Sequence, residues 1–121
     1  MQNRVQFMER PMPPMGGKCF LLREKGIYCL ERGEGTLIVA AVTHAGSGSL
    51  HFIDGVPDEN GFFDATEDPT VGYEFYRASP CCMGTWMLNA GFKHGLTIRS
   101  VGGTAEVAPV ASIVWLPFKR K

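Results

Sequence analysis

From residue 18 onward, hydrophobic and polar residues alternate over short windows, and no stretch keeps apolar residues at helical spacing for three turns. The pattern predicts strands at Lys18 to Leu22, Gly26 to Glu31, Thr36 to His44, Ser49 to Asp54 and Tyr73 to Ala78. Further strands are expected at Thr85 to Asn89, Leu96 to Val101, Thr104 to Val107 and Val110 to Leu116. Each is bounded by Gly, Pro, Asn, Asp or Ser, the residues that supply turn geometry. Many short strands with frequent turns define an all-β chain. The expected architecture is an antiparallel β-sandwich or a jelly-roll-like domain.

One hairpin can be drawn from local signals. Ala45-Gly46-Ser47-Gly48 joins the strand ending at His44 to the strand starting at Ser49. If His44 faces Ser49, Val42 faces His51 and the two histidines lie diagonally on one face. Leu37, Val39, Ala41, Leu50 and Phe52 then share the other face, which is the core candidate. A metal site at the histidines would need a third ligand, and strand parity puts Asp54 on the wrong face. His94 lies too far along the chain to be placed. No metal ligand is assigned.

Residues 1–17 break the alternation. Four of the six methionines (Met1, Met8, Met12 and Met15) fall here, among Pro11, Pro13, Pro14, Gly16 and Gly17. Proline fixes its own backbone and extends its predecessor, so this segment reads as an extended N-terminal arm ahead of a sandwich domain at 18–121. Two readings stay open: the arm drapes its adaptable methionines over a neighbouring subunit, or it frays as chain ends do. The first makes Met8, Met12, Pro13, Pro14 and Met15 candidates for subunit contact.

Charge is concentrated in one loop. Asp54, Asp58, Glu59, Asp64, Glu67, Asp68 and Glu74 are seven of the 12 acidic residues, and no Lys or Arg lies among them. The loop at 55–72 can serve as a solvated segment, as a contact for a basic surface, or as a calcium cradle. The last lacks the ligand spacing of an EF-hand. Phe62 and Phe63 in such a loop must tuck beneath it or meet a partner, so both join the contact candidates. The terminal Lys119-Arg120-Lys121 suits solvation or an acidic patch on an identical copy.

Composition narrows the choice of function. The chain has 121 residues, with 12 Lys+Arg against 12 Asp+Glu, a size that fits one domain. Zero net charge gives no field for gripping nucleic acid or an anionic membrane. The longest apolar run, Leu37 to Val42, falls well short of the roughly 20 residues of a spanning helix. No signal-peptide core opens the chain, which implies a reducing cytoplasm. Cys19, Cys29, Cys81 and Cys82 are then expected to be thiols rather than disulfide or metal partners. There is no Gly-x-Ser-x-Gly elbow, and Gly46-Ser47-Gly48-Ser49 and Gly33-Glu34-Gly35 lack the helix of a phosphate cradle. The expectation is a non-enzymatic protein, with no catalytic residue and no cofactor.

The order of segments also carries a likeness. Gly33-Glu34-Gly35-Thr36-Leu37 leads into an apolar strand, a Gly/Ser connector and Leu50-His51-Phe52-Ile53-Asp54-Gly55. Gly91-Phe92-Lys93-His94-Gly95-Leu96-Thr97-Ile98, Gly102-Gly103-Thr104 and a closing strand follow. Over roughly residues 33 to 118 this resembles small β-sandwich structural proteins of tailed bacteriophages. The resemblance implies a virion component: a capsid decoration or cement protein, or a part of the neck or tail. It would be assembled in the host cytoplasm as a homo-oligomer or repeated array, touching major capsid or tail proteins. It transfers no catalytic residue. The alternative is a carbohydrate- or ligand-binding module whose aromatics, drawn from Phe62, Phe63, Tyr73, Tyr76 and Trp86, form a flat strip.

Overall fold

A computed structural model describes residues 4–8, 17–44, 48–78, 84–101 and 109–118. Nine strands run in chain order: β1 (Val5–Phe7), β2 (Lys18–Leu22), β3 (Gly26–Arg32), β4 (Gly35–His44) and β5 (Ser49–Asp54), then β6 (Tyr73–Ala78), β7 (Gly84–Phe92), β8 (Gly95–Val101) and β9 (Val110–Pro117). No helix occurs among the described residues. The strands form two sheets, ordered β1-β3-β8-β5-β6 and β2-β9-β4-β7.

The antiparallel pairs β2·β9, β3·β8, β4·β7 and β5·β6 nest inside one another like the two arms of a single long hairpin. The further antiparallel pairs β4·β9 and β5·β8 close the folded ribbon into two sheets. This winding is a jelly roll. The all-β sandwich expected from the alternation is the fold observed. The expected strand at Thr104 to Val107 lies outside the described residues, as do Cys81 and Cys82.

Alternation decides the core. Phe20 and Leu22 of β2, Ala111, Ile113 and Trp115 of β9, and Leu37, Ala40 and Val42 of β4 point inward from one sheet. Tyr28, Leu30, Leu50, Phe52, Leu96 and Ile98 meet them from the other. Burying such side chains stabilises the fold by about 1.5–3 kcal/mol each before chain entropy is subtracted.

Three expectations need correcting. The connector after His44 does not make a hairpin, because β4 and β5 belong to different sheets. Each strand pairs elsewhere: β4 against β9 and β7, β5 against β8 and β6. The proposed core face of β4 also shifts. A register change between Leu37 and Val39 reverses the parity, so Leu37, Ala40 and Val42 are buried while Val39 and Ala41 turn outward. Finally, the arm is not wholly outside the body. Val5 to Phe7 add a parallel edge strand to β3, and the Met8 amide donates to the Cys29 carbonyl at 3.0 Å. Val5 is buried, the Arg32 guanidinium covers the Phe7 ring, and Met8 packs half-buried against the chain's own core. Met12, Pro13, Pro14 and Met15 lie outside the described residues.

The long loop after β5 lies across the outer face of the β1-β3-β8-β5-β6 sheet. The Val5 amide donates to the Glu59 carbonyl, and Thr97 Oγ1 donates to the Gly55 carbonyl at 2.7 Å. Cys29, Thr97 and Ile53 form a cross-strand row beneath it and are buried although they point away from the core. Gly95 permits this close approach: a Cβ there would stand 2.6 Å from Val56 and 2.8 Å from the Glu31 carbonyl oxygen. No larger residue fits.

Candidate functional site

The loop covers one end of its sheet, at the row of Cys29, Thr97 and Ile53, and the other sheet presents an open face. Register places Cys19, Val114, Val39 and Met87 in one row across β2, β9, β4 and β7. Leu21, Ser112, Ala41 and Thr85 form the next row, and Leu116, Thr36 and Gly91 flank the first row on its other side. None of these residues carries a charge, in a chain that is 20% charged. Met87 is 67% exposed and Leu21 42% exposed, so no cover lies over them among the described residues. Large apolar side chains gathered in this way mark contact surfaces rather than ordinary solvent-facing strands.

The acidic loop is built by its own carboxylates. Asp58 Oδ1 accepts from the Asn60 and Phe62 amides, at 2.9 and 3.0 Å, and the Asp58 amide donates back to the Phe62 carbonyl. Asp64 accepts from the amide and hydroxyl of Thr66, and Asp68 does the same with Thr70. These hydrogen bonds hold both Asp64 and Asp68 below the ordinary carboxylate range. His94 Nε2 closes the loop's far end, 3.2 Å from Asp68 Oδ2 and 2.9 Å from Thr70 Oγ1. The two contact candidates separate. Phe63 is tucked against Gly55 and Gly72, whereas Phe62 is 71% exposed.

The histidines do not form the expected diagonal pair, since β4 and β5 lie in different sheets. His51 is engaged with Ser49 and Glu74, and Glu74 also accepts from Arg77. Burial pushes the Glu74 carboxyl up, but hydrogen bonds and charge from Arg77 and His51 outweigh it and leave the group below its ordinary value of 4.5. The native state thus holds this proton less tightly than the unfolded chain. The network's contribution is complete above the ordinary value and is lost as pH falls through the lowered one. Denaturation midpoints across the acid range should fall more steeply for the parent than for Glu74→Gln. Parallel curves would show that the group does not contribute.

Among the described residues, no three His, Cys, Asp or Glu side chains converge on a point that could hold a metal ion. Cys19 is an exposed thiol on the open face, and Cys29 is a buried one whose pKa burial raises. The aromatics offered for a sugar strip do not share a face. Tyr76 packs inward against Phe52 in a tilted arrangement, with ring centroids 5.7 Å apart, and Trp86 packs against the core from the opposite sheet. Tyr73 and Phe62 are exposed separately, at the start of β6 and on the loop. Comparison with family models, curated proteins and solved structures gives no match to this chain.

Proposed function

We propose that this chain is a structural protein of a bacteriophage particle, a capsid decoration or cement subunit or a neck or tail component, that acts through subunit contacts. The uncharged outer face of β2-β9-β4-β7 carries the reading. A monomer working alone gains nothing from Met87 and Leu21 in water, whereas a neighbouring copy would remove both from solvent. Jelly rolls are a recurrent building unit of viral shells, and the bacteriophage likeness of residues 33 to 118 points the same way. A face four strands wide supports a modest contact, which repetition in an array strengthens. The acidic loop lies on the opposite side and leaves this face free.

The test is oligomeric state. Light scattering over a concentration series should show the parent chain associating. The double substitution Leu21→Lys with Met87→Lys should weaken association at least about 100-fold, because each unpaired lysine would have to be desolvated. Its circular dichroism should remain that of a β protein. A parent chain that stays monomeric throughout, or a double variant that associates as well as the parent, would refute the assignment.

A further inference from the structure

The outer face of the other sheet holds a chain of polar groups that assembly does not use. Ser49 and His51 stand two apart on β5 and so share a face. Ser49 Oγ lies 2.8 Å from His51 Nε2, and His51 Nδ1 lies 2.7 Å from Glu74 Oε1 on β6. Arg77 Nε donates to the second oxygen of Glu74 at 2.7 Å, which fixes the carboxylate. An ionised carboxylate only accepts, so in the neutral ring it draws the proton to Nδ1. The Nε2 lone pair is then left facing the serine hydroxyl. That is the order of nucleophile, base and orienting group on which serine acyl transfer depends.

The geometry points to Ser49 as a base-activated nucleophile toward small acyl esters, with His51 as the base and Glu74 as the residue that orients it. Two further side chains suit the reaction. Arg99 on β8 is the direct partner of His51 and the diagonal neighbour of Ser49, within reach for a long side chain. It is exposed, and no ion pair engages it among the described residues. Its guanidinium can meet the oxyanion that develops on the carbonyl oxygen. Val101 stands opposite Ser49 and is 40% exposed, an apolar contact for a short acyl chain. Because Arg77, Arg99 and Val101 are all exposed, the site suits an acetyl-sized group projecting from a larger alcohol.

In the reaction, Ser49 Oγ bonds to the carbonyl carbon as its proton passes to His51 Nε2. The bond to the alcohol oxygen then breaks, and the alcohol leaves with that proton. Water, giving its proton to the same nitrogen, attacks the acyl-serine, releases the acid and restores Ser49.

A fluorophosphonate probe and p-nitrophenyl acetate test this on the intact protein. The expected result is one covalent adduct, mapped to Ser49 by peptide mass spectrometry and absent in Ser49→Ala. His51→Gln should label at least about 100-fold more slowly, the share a general base supplies. Glu74→Gln should label at least about 10-fold more slowly, because its amide can turn the ring to the wrong tautomer. The Leu21→Lys, Met87→Lys protein should label and hydrolyse like the parent, so loss of assembly is distinguishable from loss of chemistry. No adduct on the parent chain, an adduct elsewhere, or parent-like labelling of a folded His51→Gln protein would overturn the assignment.

Discussion

Replacing Trp115 with alanine is expected to remove about 3–5 kcal/mol of stability, a large share of the 5–15 kcal/mol that holds a domain of this kind together. Trp115 is 0% exposed and sits on β9 in register with Lys18 on one side and Leu37 on the other. Its ring fills the space between the sheets, and its indole Nε1 donates to Glu31 Oε1 at 2.9 Å. Lys18 Nζ lies 3.0 Å from the same oxygen, so one carboxylate on β3 is tied to two strands of the opposite sheet. Alanine would empty the space and remove one of the two donors to Glu31. Phenylalanine would keep most of the packing and lose only the N–H, at about 1–2 kcal/mol. Urea denaturation of the three proteins checks the argument. Equal losses for Ala and Phe would mean that the hydrogen bond, not the packing, dominates.

That contact joins residues 84 positions apart, which shows where reading the sequence stops. Strands are local, and the segments Lys18 to Leu22, Ser49 to Asp54 and Tyr73 to Ala78 were bounded correctly because turn residues frame a period-two run. Pairing is not local. The Gly/Ser connector after His44 suits a hairpin or a crossing between sheets equally well, and only the apolar partners on β8 and β9 decide. Parity is local until a bulge intervenes, and the one after Leu37 moved Val39 and Ala41 to the outside. β1 leaves no signal in the sequence, because three residues beside a Pro- and Met-rich stretch make too short a pattern.

The candidate sites follow the same division. Phe62 and Phe63 can either tuck in or meet a partner, and the loop packs Phe63, half-buried, against Gly55 and Gly72 while it presents Phe62. The uncharged face could not be read, because its rows cross four strands whose order is set by the fold. Ser49 and His51 stand two apart in the sequence, but nothing there marks them as a pair, and Glu74 reaches them only through the pairing of β5 with β6. Edge and corner residues thus carried less local information than core residues did.

Asp54 shows how much a residue on the nominally wrong face can carry. Replacing it with alanine should destabilise the protein by about 3 kcal/mol, the scale of losing charge-assisted hydrogen bonds that are not fully additive. At the end of β5 its carboxylate leaves the strand's alternation and caps the turn between β7 and β8. Oδ1 accepts from the amides of Lys93, His94 and Gly95 at 3.0, 2.8 and 3.3 Å, and Oδ2 accepts from Lys93 at 2.9 Å. Its own carbonyl accepts from the Gly72 amide at 2.7 Å, which anchors the return of the acidic loop. One residue therefore joins three segments remote in sequence. Alanine would leave the turn amides without this acceptor beside the crowded Gly95, whereas asparagine would keep one acceptor oxygen and should cost about 1 kcal/mol. Chemical denaturation gives the totals, and hydrogen exchange locates them. In the alanine variant the amides of Lys93, His94 and Gly95 should exchange faster before the core strands do. A variant with an unchanged midpoint and unchanged exchange at these amides would show that the turn holds itself, and that the carboxylate only rests against it.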